Sequence, residues 1–198
     1  WTPDYAGKRM ENWLHNMSDW NISRKRYWGL VLPFYVCDDC GEVTVAKSRA
    51  QLRELAINPE VVDNLPELHR PWVDEVKIKC PKCDSVVSRI PEVGDAWLDA
   101  GIVPFSTLKY LDDPEYWRKW FPADWVSEMR EQIRLWFYSL LIMSVTLEDT
   151  APYKAVLTYE KVHDENGRPM HKSWGNAIWF DDAAEKMGAD VMRWMYCS

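Results

Sequence analysis

The strongest constraint on this chain is the spacing of its cysteines, because four of the five form two matched pairs, Cys37 with Cys40 and Cys80 with Cys83. Two residues separate the members of each pair, a spacing that places both thiolates on one tight turn. Two such turns can close a tetrahedral shell of four thiolates around a zinc ion. Four thiolates leave no open coordination position for a water nucleophile, so we expect a structural Zn²⁺ that staples a small β-rich insertion.

Disulfides and unligated thiols are the alternative states of these cysteines. Cys197 is an odd fifth cysteine, and no signal-peptide pattern precedes the first pair. Both features favour a reducing compartment, in which thiols persist and disulfides are rare. We therefore expect a cytoplasmic protein with a zinc centre and leave disulfides and free thiols as the weaker interpretations.

Composition bounds the size of the core and the kinds of partner. The 198 residues are 47 % hydrophobic and include 13 Trp, which provides enough apolar surface for one domain with a small insertion. The net charge of −7 argues against nonspecific capture of nucleic acid by bulk electrostatics. The longest uncharged run, residues 135–147, is too short to cross a bilayer and suits a buried helix, so we expect no membrane partner.

Periodicity and turn residues predict β structure around both cysteine pairs. The predicted elements of the N-terminal half are a helix over residues 7–17, a strand over 30–36, a helix over 48–57 with Ser48 as N-cap, a proline-punctuated loop over 59–71, and a hairpin that pairs 73–79 with 85–90.

The C-terminal half alternates predicted strands and helices. The predicted elements are a strand or turn over residues 95–101, a helix over 114–120, a strand over 124–128, a helix over 131–148, a strand over 154–159, a polar hairpin through Asn166 and Gly167, and helices from about Asp182 and Asp190. Asp182 with Glu185 resembles a capping box, and Gly188 suits a helix end. This order is typical of half a doubly wound parallel α/β sheet, whose ligands bind beyond the carboxyl ends of the strands, here near residues 128–132 and Lys172.

Several segments resemble motifs of one enzyme family. Residues 169–176 (PMHKSWGN) resemble the KMSKS loop of class I aminoacyl-tRNA synthetases. Residues 128–137 (EMREQIRLWF) resemble the EGxDQxRGWF helix start, and residues 19–29 (DWNISRKRYWG) the DWCISRQRYWG segment, of the isoleucyl-tRNA synthetases. Residues 95–101 and 121–124 are similar to the DVWFDSG and FPAD segments of that family. The resemblance covers nearly the whole chain and points to the isoleucine, valine and leucine group, with isoleucine favoured.

The resemblance implies the second half of a Rossmann-type catalytic domain, following the editing insertion. Residues 1–29 would then be a helix and connecting basic turn, residues 30–92 a zinc-binding insertion, and residues 93–198 the C-terminal half of the Rossmann domain with its KMSKS-like loop. The family activates its amino acid with ATP and Mg²⁺ to an aminoacyl-adenylate and transfers the acyl group to tRNA. The implied partners are isoleucine, ATP and tRNA(Ile), in a parent enzyme that we expect to be monomeric.

The resemblance implies that five residues act in catalysis or in binding of the nucleotide. Lys172 is the implied catalytic residue, because it matches the lysine whose ammonium can reach the departing pyrophosphate. Met170 and Ser173 of the same loop are implied in ATP and adenylate binding. Glu128 and Glu131, at the end of a predicted strand and the start of a helix, are implied there too, with Glu131 at the position that binds the ribose.

Three residues are implied at the amino-acid substrate. Trp97 and Trp136 match positions that wall the aliphatic pocket, and Gln132 matches a residue that contacts the amino acid. Flat indoles suit a branched apolar substrate, because they exclude water without offering unpaired polar groups.

The chain departs from the family pattern at three of its motif positions. Pro169 replaces the first lysine of the KMSKS loop, although Arg168 is adjacent, and His171 replaces the first serine. Glu131 replaces an aspartate and adds a methylene. These changes bear on the number of cations near the phosphates and on the geometry at the ribose.

The sequence supports more than one functional hypothesis. It contains no His-x-Gly-His, begins at Trp1 without Met, and ends directly after an apolar helical pattern. We therefore expect an excerpt of a longer polypeptide, inactive on its own, that belongs to the catalytic domain of a class I ligase for isoleucine. The alternatives are a non-catalytic, zinc-stabilised tRNA-binding fragment and a ligase for valine or leucine.

Overall fold

The computed structural model describes residues 2–197, in which helices and short strands are mixed. The described chain divides into two compact units. The first unit extends to Asp124 and resumes over Gln132–Lys154, and the second comprises Trp125–Glu131 and continues from Ala155. The three-part division at residues 29 and 92 stays a prediction.

The first unit contains most of the elements. They are α1 (Asp4–Asn16), β1 (Ser23–Arg24), β2 (Phe34–Val36), β3 (Val43–Val45), α2 (Arg49–Leu55), α3 (Pro59–Asp63), β4 (Lys77–Lys79), β5 (Val86–Ser88), β6 (Val93–Gly94), α4 (Ala96–Ser106), α5 (Pro114–Trp120) and α6 (Trp136–Glu148). The second unit contains β7 (Val126–Met129), β8 (Val156–Tyr159), α7 (Phe180–Met187) and α8 (Ala189–Tyr196). Short 3-10 helices lie at Trp72–Glu75, Arg130–Arg134 and Lys172–Trp174. None of the described helices combines the length and apolar character needed to cross a lipid bilayer.

Residues 34–90 form a small lobe, named the cysteine lobe below, from two antiparallel hairpins. β2 pairs with β3, and β4 pairs with β5. The hairpin predicted over 73–79 and 85–90 is thus confirmed in part, because residues 73–75 belong to a 3-10 helix. A bridge between Tyr35 and Arg89 joins the two hairpins. Hairpins with strands this short are unstable alone, so they depend on a shared core. Its buried members are Tyr35, Cys37, Ala46, Leu52, Ala56, Val62, Leu65, Val73, Val76, Ile78, Cys80 and Val87.

A buried arginine ties loops to this lobe. The Arg89 side chain is fully buried, and its guanidinium donates to Asp74 Oδ1 (3.0 Å from Nε) and to the carbonyls of Leu32 (3.1 Å) and Glu92 (2.9 Å). Arg70 donates to the other oxygen of Asp74 at 2.7 Å. Burial opposes ionisation of Asp74, but the two guanidinium groups hold its pKa below the usual value. The buried charge is therefore paired, as burial requires.

Residues 95–101 form the start of a helix, so the prediction of a strand or turn there is wrong. Asp95 is the N-cap of α4, and its Oδ1 accepts a hydrogen bond from the backbone N–H of Trp97 at 3.1 Å. Gly101 and Pro104 disguise the helix in the sequence, because both residues disfavour helix interiors. An aspartate N-cap before an apolar run was the available signal.

Tertiary contacts compensate for the two helix breakers. Pro104 has no N–H, so it cannot donate to the carbonyl of Ala100 one turn earlier. The indole Nε1 of Trp136, at the start of α6, donates to that carbonyl at 3.0 Å. Gly101 allows α4 and α6 to approach closely, because a Cβ at this position would lie 2.6 Å from the carbonyl oxygen of Ser139.

The other helices of the first unit agree with the predictions in part. Ser48 caps α2 by accepting from the N–H of Gln51 at 3.1 Å, and α5 has the predicted bounds. The loop predicted over residues 59–71 instead contains α3, which begins at a proline that is tolerated in a first helical turn. The helix predicted over 131–148 is an α-helix only from Trp136, where α6 begins, because the residues up to Arg134 form a 3-10 helix.

The second unit is built on one parallel strand pair. β7 and β8 are in parallel register from Val126 opposite Val156 to Met129 opposite Tyr159. Gly188 ends α7 as predicted. The prediction of a capping box at Asp182 is wrong, because α7 begins at Phe180 and has no side-chain cap.

We expect Gly101→Ala to lower the free energy of unfolding by about 1–3 kcal/mol, because the added methyl overpacks the contact between α4 and α6. Urea unfolding followed by tryptophan fluorescence measures this change. The exposed Val103→Ala on the same helix is the control and should change the free energy by less than about 0.5 kcal/mol. Equal stability of Gly101→Ala and wild type would contradict the close approach.

Candidate functional site

The four paired cysteines converge at the ends of the two hairpins. Cys37 Sγ lies 3.5 Å from Cys83 Sγ, and Cys40 Sγ lies 3.6 Å from Cys80 Sγ. All four sulfur atoms lie within 4.8 Å of one another. A tetrahedral shell with metal–sulfur bonds of about 2.3 Å requires sulfur separations of about 3.8 Å. The cluster therefore has the dimensions of a metal site, as the spacing predicts.

Both cysteine turns have the same backbone geometry. Gly41 and Asp84, the residues directly after each pair, adopt left-handed backbone with φ of 73° and 60°. Each donates its N–H to the carbonyl of the first cysteine in its own turn, Gly41 to Cys37 at 2.9 Å and Asp84 to Cys80 at 3.0 Å. The left-handed residue lets the turn close so that both thiols of a pair point to one side.

The donor set suits a thiophilic ion. Cys37 and Cys80 are buried in the core of the lobe, whereas Cys83 is exposed. Hydrogen bonding with Ser85, whose Oγ lies 3.3 Å from Cys83 Sγ, lowers the pKa of Cys83 to about 6, whereas desolvation by burial raises the pKa of Cys37. Among residues 2–197, this is the one group of four such ligands, and it could hold a metal ion. None of the described cysteines forms a disulfide.

We expect the chain to bind one equivalent of Co²⁺ with the intense ultraviolet absorption of thiolate–metal charge transfer. Cys37→Ser should weaken Co²⁺ binding and reduce this absorption, because it removes one of the four thiolate ligands. Cys197→Ser is the matched control and should leave the spectrum unchanged, since Cys197 lies outside the cluster. Retention of the full spectrum in Cys37→Ser would contradict the four-cysteine site.

One buried carboxylate joins two of the motif segments in the first unit. Asp95 is 5 % exposed, and its Oδ2 accepts from the indole Nε1 of Trp20 at 3.0 Å and forms an ion pair with Arg24. Burial opposes ionisation, but the hydrogen bonds from Trp20 and Trp97 and the Arg24 guanidinium hold the pKa of Asp95 below its usual value. The carboxylate thereby fixes the basic turn around Arg24 against the start of α4.

We expect Asp95→Asn to lower the free energy of unfolding by about 1–3 kcal/mol at pH 7, because it removes a charged hydrogen-bond acceptor. A depressed pKa stabilises the fold above the pKa of the unfolded state, about 3.9, and this contribution is lost as pH falls through the folded value. The deficit should therefore shrink under acid conditions, which urea unfolding at several pH values measures. The control is Asp99→Asn, at an exposed position of α4. A loss of unfolding free energy in Asp95→Asn that does not change with pH would contradict an ionised Asp95.

The residues implied at the amino-acid substrate all lie in the first unit. Gln132 and Trp136 are brought together, because the side-chain oxygen of Gln132 accepts from the backbone N–H of Trp136 at 3.1 Å. Trp97 lies in the first turn of α4, the helix against which α6 packs. All three are half-buried, so each leaves part of its surface accessible to a ligand.

The two implied glutamates lie at the carboxyl end of β7 in the second unit. The hydroxyl of Tyr159 on β8 donates to Glu128 Oε2 at 3.3 Å. Glu131 Oε1 lies 2.8 Å from Lys161 Nζ, and this hydrogen bond lowers the pKa of Glu131. Sequence reasoning missed Lys161 and Tyr159, since their proximity depends on the register of the two parallel strands.

The KMSKS-like loop is held by one asparagine. The backbone N–H of His171 donates to Asn176 Oδ1 at 2.8 Å. The Asn176 amide donates to Asp164 Oδ2 at 2.8 Å and to the Pro169 carbonyl at 3.2 Å. The hydrogen bond from the Asn176 amide and those from nearby backbone N–H groups lower the pKa of Asp164. The loop is thereby closed against the polar hairpin before it.

The loop side chains that resemble the KMSKS motif are wholly or partly accessible to solvent. Lys172 and Ser173 are exposed, and Met170 is half-buried. The Lys172 ammonium lies 5.0 Å from the centroid of the Trp179 ring. Arg168, adjacent to the substituted Pro169, has Nε 3.8 Å from Asp164 Oδ2, so its charge is partly engaged.

Comparison with known proteins relates the whole chain to one enzyme family. The family model described as tRNA synthetases class I (I, L, M and V) matches residues 1–198. The isoleucine–tRNA ligase of Methanothermobacter thermautotrophicus is 42 % identical over 194 residues, which cover 98 % of this chain and 18 % of that protein. The isoleucine–tRNA ligases of Saccharolobus solfataricus and Bacillus thuringiensis are 44 % and 45 % identical, and each match covers 98 % of this chain and 19 % of the relative.

The chain thus spans a little under a fifth of the length of these curated relatives. Among solved structures, the agnB2 LeuRS of Agrobacterium radiobacter K84, in its ternary complex with tRNA and LeuAMS, matches with a TM-score of 0.61 at 24 % identity. That match covers 94 % of this chain and 26 % of the LeuRS chain. It establishes a shared fold.

Proposed function

Because the chain belongs to the class I tRNA synthetases (I, L, M and V), we propose that it forms part of the catalytic domain of an isoleucine–tRNA ligase. The whole enzyme would activate isoleucine with ATP and Mg²⁺ to an adenylate and transfer the isoleucyl group to tRNA(Ile). The observation that carries this proposal is identity of 42–45 % to isoleucine–tRNA ligases along 98 % of the chain. The enzyme would act in the cytoplasm as a monomer.

The cysteine cluster would hold a structural Zn²⁺ in this enzyme. Four sulfur donors fit zinc, and a closed shell of four thiolates has no position for a reacting water. Cys37, Cys40, Cys80 and Cys83 would be the ligands. The ion would fix the two hairpins of the cysteine lobe, which would be the zinc-bound insertion in the Rossmann-type catalytic domain.

The second unit would contribute to nucleotide binding. The parallel pair of β7 and β8 supports a Rossmann-type sheet, in which ligands bind beyond the carboxyl ends of the strands. Glu128 and Glu131 lie at that end, where their carboxylates can accept hydrogen bonds from ribose hydroxyls. Since Glu131 is paired with Lys161, a ribose hydroxyl would share or replace this contact.

Lys172 would contact the phosphates of ATP and stabilise the departing pyrophosphate. The Lys172 ammonium is exposed on a loop with Met170 and Ser173, so an anionic ligand can reach it, and positive charge placed where negative charge develops stabilises a transition state. Arg168 would supply part of the charge that Pro169 cannot, although its contact with Asp164 limits this role.

The first unit would contribute to recognition of isoleucine. Trp97 and Trp136 would present indole surface to the branched side chain, and Gln132 would orient the amino acid. The indole N–H of Trp136 is occupied by the Ala100 carbonyl, so its ring meets a substrate without an unpaired donor.

A chimaera tests this function. This chain would replace the matching 194-residue stretch of the Methanothermobacter thermautotrophicus isoleucine–tRNA ligase, the relative at 42 % identity. We expect isoleucine-dependent exchange between pyrophosphate and ATP, and a loss of about 100-fold or more in Lys172→Ala, as for removal of a group that stabilises developing charge. The control Lys186→Ala, an exposed lysine of α7, should retain full exchange.

Other outcomes would select the alternatives. Exchange that depends on valine or leucine would change the substrate and keep the enzyme class. A folded chimaera that binds tRNA without any exchange would favour a non-catalytic RNA-binding fragment, which the departures at Pro169 and His171 also favour. The isolated chain should show no exchange, because it lacks a His-x-Gly-His sequence, the pattern of the HIGH motif with which the family binds ATP.

A further inference from the structure

The Lys172 side chain lies over an aromatic ring of the same unit. Its ammonium lies 5.0 Å from the centroid of the Trp179 indole, within the range of a cation–π contact. We propose that Trp179 is a positioning residue that holds Lys172 in a resting place, from which an anionic phosphate group must draw it. This inference rests on the proposed role of Lys172 at the phosphates.

The backbone between the two residues is constrained by a turn and by hydrogen bonds. Lys172 opens a 3-10 turn that ends at Gly175, whose φ of 72° is readily adopted by glycine. Asn176 then pins the loop through its hydrogen bonds with His171 and Pro169. These contacts constrain the backbone on the N-terminal side of Trp179, where the ammonium lies over the ring.

Trp179 has no evident role in the stability of its own helix. It occupies the N-cap of α7, where it makes no side-chain cap, and it is 58 % exposed. Asn, Asp and Ser are preferred at this position, because their side chains satisfy the free N–H groups of the first turn. A tryptophan here gives up that hydrogen bond and presents its ring face to the lysine.

The contact should compete with anion binding. The face of an indole carries negative electrostatic potential, so it attracts the ammonium and repels a phosphate that approaches from the same side. Lys172 must leave part of the ring to surround a phosphate. At an exposed site a cation–π contact is worth a factor of about 2–5 in an equilibrium constant, so its removal should strengthen phosphate binding by that factor.

Trp179→Asn is the decisive variant. It removes the ring and supplies a preferred N-cap, so it should not destabilise α7. Trp179→Phe keeps an aromatic face and should restore wild-type behaviour in part. Trp194→Leu removes another exposed tryptophan, 82 % exposed on α8, and serves as the control.

The experiment is NMR of the 198-residue chain after reductive ¹³C-methylation of its lysines, with Lys172→Arg to assign the signal. In the wild type we expect the Lys172 resonance to be displaced upfield by the ring. Inorganic pyrophosphate should move it back, and Trp179→Asn should abolish the displacement and bind pyrophosphate about 2–5-fold more tightly. Trp194→Leu should behave as wild type.

Three results would overturn the inference. They are an undisplaced Lys172 signal in the wild type, a displaced signal that pyrophosphate does not move, and pyrophosphate affinity that is unchanged or weaker in Trp179→Asn. The exchange assay of the chimaera compares Lys172→Ala with the unsubstituted chain and keeps Trp179 in both, so it tests the role of Lys172 without varying this contact. A failure of the proposed function is therefore distinguishable from a failure of this contact.

Discussion

Convergence of four thiols is the constraint on which the cysteine lobe depends. Its strands have three residues each, and the two hairpins meet at a single bridge between Tyr35 and Arg89. Such short ladders contribute few hydrogen bonds, so side chains must close the lobe. The sulfur cluster does this at one end, and the buried guanidinium of Arg89 with its carboxylate partner does it at another.

An ion pair and an indole hydrogen bond hold segments together elsewhere in the first unit. Asp95 combines the roles of helix cap and ion-pair partner, and it thereby links the basic turn to the helix that carries Trp97. The indole of Trp136 serves both packing and hydrogen bonding, because it satisfies the carbonyl that Pro104 leaves free. Residues that resemble substrate-binding positions are thus also fixed by structural contacts, which restricts their motion before any ligand arrives.

The sequence predicted some of these features well, for a physical reason. Cysteine spacing and the cap at Ser48 are local signals, so they could be read directly and are confirmed. The helix after Asp95 was missed, because Gly101 and Pro104 outweighed the local signal of the aspartate N-cap, and the contacts with α6 that compensate for them are not local. For the residues implied at the nucleotide, resemblance supplied the identities, but the pairing of Glu131 with Lys161 required the register of two strands far apart in the sequence.

The most direct test of the central constraint is hydrogen–deuterium exchange of the metal-loaded chain before and after removal of the metal by a chelator. If the thiolate shell organises the lobe, the amides of β2 to β5 should lose protection, whereas those of β7 and β8 in the second unit should keep theirs. Unchanged protection of the two hairpins after metal removal would contradict the account.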